Sequence, residues 1–276
     1  MASTNSALHW TSSSPFNPKF PTVVFIHAAW MSSSMFDETI DHLSPSLPNT
    51  NLLRVDLNGH GETRNGRKQF TYWDQAEDVI KLMDELKIEK SIFVGISMGA
   101  SVVLHAALSH PSRVAALVVI AATGKSATPE QKAAFDQLAQ IWSSTPTPSE
   151  EIMDAAIRSW GGDPDVTGPR ARHIKDYWVE RHSGADNINA VLESNQERED
   201  IIARLESIRC PVLMIHGEND ETYTLEGAQE IRNGLRNVNV QFEIIKGSGH
   251  LVIGMRDSHD VSMLIKDFVK EVALTG

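Results

Sequence analysis

The chain has 276 residues, 41% hydrophobic and 22% charged, the balance of a globular protein able to bury a large core. Its formal charge of −11 argues against nucleic acid or an anionic membrane surface as a partner. The single cysteine, Cys210, rules out an internal disulfide and suits a reducing, cytoplasmic compartment.

Residues 1–21 are rich in Ser, Thr, Asn and Pro, with neither the basic nor the apolar region of a signal peptide. They hold at most a short strand around Leu8-His9-Trp10. No apolar run approaches the ~20 residues of a membrane span, and there is no N-x-[ST] site or internal repeat. Thr22 to Ile26 is continuously apolar and predicts a buried strand, followed by His27-Ala28-Ala29-Trp30 and a helix from about Ser34 to Leu43. Leu52 to Asp56 predicts the next strand, running into a turn at Asn58-Gly59-His60-Gly61. Ala76, Val79, Ile80, Met83 and Leu86 recur at helical spacing, which predicts a helix over Trp73–Leu86. Ser91 to Ile96 and Val114 to Ala122 are further apolar strands, separated by a helix over about Ala100–Leu108.

The alternation then breaks. From about Lys125 to Glu206 no strand-like run occurs, and Pro129–Trp142, Ser149–Trp160, Gly168–Arg181 and Asn187–Leu205 predict helices between Pro- and Gly-rich turns. Strand and helix alternate again through Pro211–Ile215, Leu225–Leu235, Val240–Ile245 and Val261–Val272. Strands alternating with helices predict an α/β fold, a mostly parallel sheet flanked by helices, with the helical stretch as an insertion.

Ligands of such sheets gather at the carboxyl ends of the strands. Gly95-Ile96-Ser97-Met98-Gly99 lies at one of them, between an apolar strand and a helix. A serine there needs small neighbours, because strand and helix backbones approach closely, and its Oγ stands at the positive end of the helix. Asp220 follows the strand at 211–215, beside Glu218 and Glu221 as competitors, and His250 follows the last strand in Gly247-Ser248-Gly249-His250. An imidazole can take the proton of a hydroxyl that is otherwise a poor nucleophile. A carboxylate on the other ring nitrogen fixes the tautomer. The resulting oxyanion needs two donors, each worth on the order of 3 kcal/mol, and the N–H groups of Met98 and Ala29 are placed for this. His27, His60, His105, His110 and His216 read as structural or exposed. The histidines lack metal-ligand spacing, and no nucleotide-binding glycine motif occurs, so neither metal nor cofactor is expected.

Phe25-Ile26-His27-Ala28-Ala29-Trp30, Asp56-Leu57-Asn58-Gly59-His60-Gly61, Gly95-Ile96-Ser97-Met98-Gly99, Ile208 to Asp220 and Gly249-His250 together resemble the α/β-hydrolase fold superfamily with a helical cap, in its esterase and enol-lactone hydrolase branch. The resemblance implies a core in two parts, 1–124 and 207–276, around a cap at 125–206. It implies the triad Ser97, Asp220 and His250 and oxyanion donors Ala29 and Met98. The acid falls to Asp220 because the strand after the nucleophile helix ends in Ala121-Ala122-Thr123-Gly124 without a carboxylate. Ala28 replaces the usual glycine after His27, the proline often found after the acid is missing, and the short stretch before Thr22 implies that the leading antiparallel strands are shortened or missing. An apolar pocket lined by Trp30 and Met31, with Trp142, Trp160 and Trp178 from the cap, is expected over Ser97.

The chemistry expected is cleavage of a small, mainly apolar ester or lactone through an acyl-enzyme, by a monomer or homodimer acting on a small molecule. The same triad also supports carbon–carbon hydrolysis or a lyase reaction, and a hydrolase-fold ligand receptor retains such residues.

Overall fold

A computed structural model describes residues 8–63, 69–161, 165–182, 191, 193–253 and 258–275. Seven strands form one sheet: β1 (His9–Ser12), β2 (Thr22–Ile26), β3 (Asn51–Asp56), β4 (Ser91–Ile96), β5 (Val114–Ile120), β6 (Val212–Gly217) and β7 (Val240–Ile245). Their order is β1-β3-β2-β4-β5-β6-β7. All neighbours pair in parallel except β1, which runs antiparallel to β3 from His9 opposite Asp56 to Ser12 opposite Leu53. One leading antiparallel strand is therefore present, where the sequence suggested shortening or loss. It overlaps the short strand expected around Leu8-His9-Trp10 and runs on to Ser12 along the edge of β3.

Between the strands run α1 (Asp37–Leu43), α2 (Tyr72–Glu85), α3 (Met98–Ser109), α4 (Pro129–Trp142), α5 (Glu150–Gly161), α6 (Pro169–Arg181) and α7 (Leu225–Gly234), and α8 (Ser258–Thr275) follows β7. α2 and α4 open with reciprocal capping boxes, Thr71 with Asp74 and Thr128 with Gln131, which satisfy backbone N–H groups that no helical carbonyl reaches. Alternate residues of each strand face opposite ways, so β2 splits its side chains between two cores. Val23 and Phe25 pack with Ile40 and Leu43 of α1 and Val261 and Ile265 of α8. Val24 and Ile26 pack with Ala76 and Val79 of α2 and Val102 and Val103 of α3.

β5 and β6 are hydrogen-bonded neighbours, yet α4, α5 and α6 lie between them in the chain. The helical segment thus leaves the sheet after β5 and rejoins it next door, its two ends tied by the Ile201 N–H to the Gly124 carbonyl at 2.8 Å. The helix expected over Asn187–Leu205 is not continuous. Residues 193–196 are helical, 198–201 are not, and Ile202–Ser207 forms a 3-10 helix; residues 187–190 and 192 lie outside the described ones. At the break the Arg198 guanidinium turns back and donates to the Asn195 carbonyl, in the last turn of the helical stretch.

Candidate active site

Three strand ends converge. β4 ends at Ile96 and α3 begins at Met98, so Ser97 alone makes the turn, at φ 55° and ψ −114°. A left-handed φ is costly for a residue with a Cβ, about 1–3 kcal/mol, and persists only where the surroundings enforce it. Here they do: a Cβ on Gly99 would stand 2.1 Å from the Ile26 carbonyl oxygen, so only glycine lets α3 start this close to the end of β2. Trp30 (φ 67°) and Ala121 (φ 48°), after β2 and β5, carry the same strain at the same edge of the sheet.

His250 and Ser97 are 153 residues apart in the chain, and the imidazole Nε2 lies 2.8 Å from Ser97 Oγ. Nδ1 of the same ring lies 2.8 Å from Asp220 Oδ2. Asp220 is held from behind, its Oδ1 accepting the N–H groups of Thr222 and Tyr223, both at 2.9 Å. Burial alone would raise its carboxyl pKa. The bond to His250, the charge of that ring and the Tyr223 amide outweigh burial and hold the pKa below the usual carboxylate value. Glu218 is turned away and accepts the Gly247 N–H, and Glu221 is exposed. A Cβ on Gly217 would lie 2.1 Å from the Gly249 carbonyl oxygen, so this glycine permits the acid loop and the histidine loop to touch.

With a carboxylate at Asp220 Oδ2, His250 Nδ1 carries the proton and Nε2 accepts from the Ser97 hydroxyl. Ala29 follows β2 and Met98 opens α3. Among the described residues neither backbone N–H has a hydrogen-bond acceptor, which leaves both free to meet a negative oxygen.

A small cavity of about 40 Å³ borders Ser97 and His250. Trp30 and Trp160 line it, together with Ala28, Ala29, Phe135 and Leu138; Asn195, Thr222, Tyr223 and Leu251 complete the wall. Met31, Trp142 and Trp178 are not part of it. Met31 points into a separate cavity of about 340 Å³ beside α6, which contains none of Ser97, Asp220 and His250. Trp142 and Trp178 are buried against each other, and Trp142 packs edge-on to Trp30: Trp142 donates to the His182 carbonyl at 2.9 Å and Trp178 to the Trp30 carbonyl at 2.8 Å. A tryptophan whose ring and N–H are both engaged inside has nothing to offer a ligand. Conversely, Thr222, Tyr223 and Leu251 were detectable as the neighbours of Asp220 and His250, whereas Asn195 gave no sign beyond its place in the insertion.

The other buried histidines order the loops. His27 donates from Nδ1 to the Ala28 carbonyl and accepts the Leu57 N–H on Nε2. His60 accepts the Trp30 N–H on Nε2 and donates to the Asn58 carbonyl. His216 donates to the Tyr223 carbonyl at 2.7 Å. Burial lowers the pKa of all three, most strongly for His60, which also faces His27 and His182. Among the described residues no group of His, Cys, Asp or Glu is arranged to hold a metal ion, and no helix is long and apolar enough to cross a membrane.

Residues 21–254 match the sequence profile of the α/β-hydrolase fold family. The chain belongs to that family. It is an α/β-hydrolase enzyme, 28% identical over 223 residues to a protein assigned as 2-succinyl-6-hydroxy-2,4-cyclohexadiene-1-carboxylate synthase in Bacillus subtilis (strain 168), covering 76% of this chain and 78% of that one. The enol-lactonase of Burkholderia xenovorans LB400 superposes with a TM-score of 0.82 at 20% identity, over 95% of this chain and 96% of its own. A thermophilic esterase of Thermogutta terrifontis superposes with a TM-score of 0.81, also at 20% identity, over 96% and 93%. At such identities the two structures establish the shared fold of this α/β-hydrolase and leave its substrate to its own site.

Proposed function

We propose that this α/β-hydrolase cleaves a small, mainly apolar carboxylic ester or lactone through an acyl-enzyme on Ser97. The observation that carries the reading is the chain of two 2.8 Å contacts from Ser97 Oγ to His250 Nε2 and from His250 Nδ1 to Asp220 Oδ2. Ser97 Oγ attacks the carbonyl carbon while its proton passes to His250 Nε2. The carbonyl oxygen becomes an oxyanion between the N–H groups of Ala29 and Met98. Asp220 stabilises the imidazolium formed meanwhile. His250 then gives its proton to the departing alkoxide, leaving the acyl group on Ser97. Water, deprotonated by the same nitrogen, releases the acid and restores the hydroxyl. The narrow cavity favours a short acyl group, and Trp30, Phe135, Leu138, Trp160 and Leu251 make most of its wall apolar. Phe135, Leu138 and Trp160 belong to the segment 125–206, which acts as a cap closing the site from above.

The test is Ser97→Ala against p-nitrophenyl esters of graded acyl length and against enol-lactones. The expected loss in kcat is a factor of about 10⁴ or more, with wild-type protein labelled by a fluorophosphonate and the variant unlabelled. Retention of most of the rate by the variant would remove the covalent route.

A further inference from the structure

Asn195 lines the cavity at Ser97 and is only 9% exposed. Its amide orientation is fixed by what surrounds it. Oδ1 receives Tyr72 Oη–H at 2.9 Å, Tyr223 Oη–H at 3.2 Å and Arg198 Nη1–H at 3.1 Å. Arg198 can only donate, so turning the amide over would set an NH₂ group against a cation; the two hydroxyls would tolerate either orientation, and it is the guanidinium that requires the oxygen to face the network. Nδ2, with two hydrogens to give, has no acceptor among the described residues. Thr222, also in the wall, carries a hydroxyl that can donate or accept and so specifies nothing. Asn195 can only donate.

The cation behind it is unusual. Arg198 is buried, at 6% exposure, and among the described residues no carboxylate pairs with it. Its other bonds go to the neutral oxygens of Lys125, Asn195 and Gln131. A buried positive charge one hydrogen bond away polarises the Asn195 amide and favours a negative or partly negative atom on the far side of it. Tyr223 joins this network to the reacting groups, its ring edge-on to His250 with centroids 5.1 Å apart.

We propose that Asn195 is a specificity-determining residue whose Nδ2–H binds a second acceptor oxygen of the substrate, a keto or carboxylate oxygen carried on the acyl part beyond the scissile carbonyl. This rests on the hydrolytic reading above. The preferred substrate is then an oxo- or carboxy-substituted ester or lactone. An unsubstituted one leaves the donor unpaired, a difference that a polar site converts into strong discrimination.

The experiment compares p-nitrophenyl pentanoate with the 4-oxopentanoate and with the monoester of glutaric acid. Wild-type kcat/KM is expected to be at least tenfold higher for one of the two oxygenated esters. Which one is higher separates a keto from a carboxylate acceptor. Asn195→Asp keeps an oxygen for Tyr72, Tyr223 and Arg198 but replaces the donor by an acceptor, and should lower the preference ratio at least tenfold. A purely structural role would change all three esters together and leave the ratio alone. Equal wild-type rates on the three esters would overturn the inference whether or not the variant folds, while leaving the hydrolase reading intact. An unchanged ratio in folded Asn195→Asp would overturn it as well. No turnover of any ester would instead strike at the hydrolase reading.

Discussion

Asp220 is held on one oxygen by two backbone amides and spends the other on His250, so its two oxygens have separable duties. Asp220→Asn keeps an oxygen for Thr222 and Tyr223 and turns an NH₂ toward His250. Nδ1 must then accept, the ring proton moves to Nε2, and the base can no longer take the Ser97 proton. The expected result is a drop in kcat of about 10⁴ with little change in KM or melting temperature, measured on a p-nitrophenyl ester. A loss confined to KM would show that the carboxylate shapes the pocket instead of setting the tautomer. Ser97, Asp220 and His250 were legible in the sequence because each ends a strand, and strand ends in a parallel sheet meet at one edge. The choice of Asp220 over Glu218 was harder to read, since two residues of loop conformation decide which carboxylate turns inward. Asn195 was not legible at all. Its meaning comes from Tyr72, Tyr223 and Arg198, which lie far apart in the chain or carry no motif.

Helix α6 acts on the loop that carries Ala29. Trp178 donates to the Trp30 carbonyl, and Tyr177 donates to the Met31 carbonyl at 3.0 Å while accepting the Gly61 N–H at 2.9 Å. Two adjacent residues thus hold a loop whose Trp30 sits at a strained φ. Trp178→Phe removes one of these bonds and leaves a buried carbonyl unpaired, which costs about 1–3 kcal/mol. Thermal melting should fall by several degrees. Because the released carbonyl is next to Ala29, kcat should fall more than tenfold with fluorophosphonate labelling of Ser97 slowed in parallel. A lower melting temperature with unchanged turnover would limit α6 to a stabilising role. The elements themselves were largely readable. Apolar runs marked β2 to β6 and helical spacing marked α2, because burial imposes those periods directly. β1 was only a hint, since an edge strand of four half-buried residues has no such period. The break after residue 196 was hidden, because the bond from the Arg198 guanidinium to the Asn195 carbonyl that satisfies the helix end there is a contact that propensity does not register.

At the scale of the whole molecule, five buried imidazoles among the described residues have pKa values below that of the unfolded chain. Burial lowers the pKa of His27, His60 and His216, takes His105 to about 4, and takes His182 to about 3, where His27 adds to the effect. His27, His60 and His182 pack in a row, tilted and edge-on, with ring centroids 4.8 Å and 5.5 Å apart, where the loop after β2 meets the end of α6. A base with a depressed folded pKa takes its proton first in the unfolded state. Its contribution to stability is complete above the unfolded value near 6.5 and is lost as the pH falls from there toward the folded value. For His182 that window runs from about 6.5 down to about 3. Asp220 and Asp56, also with lowered values, act at lower pH, below the ordinary carboxylate pKa, so the loss between pH 6.5 and 4 belongs to the histidines. His182→Phe keeps a ring against Trp30 and Tyr177 and removes both the titration and a buried Nε2 that has no partner among the described residues. Urea unfolding at pH 7 and pH 5 should show the wild-type protein losing more stability than the variant, by about 2 kcal/mol at the rate of roughly 1.4 kcal/mol per pH unit for one imidazole. Equal losses in the two proteins would mean that His182 already meets protons in the folded state, and that the row of imidazoles where α6 rests on the loop after β2 is open to water.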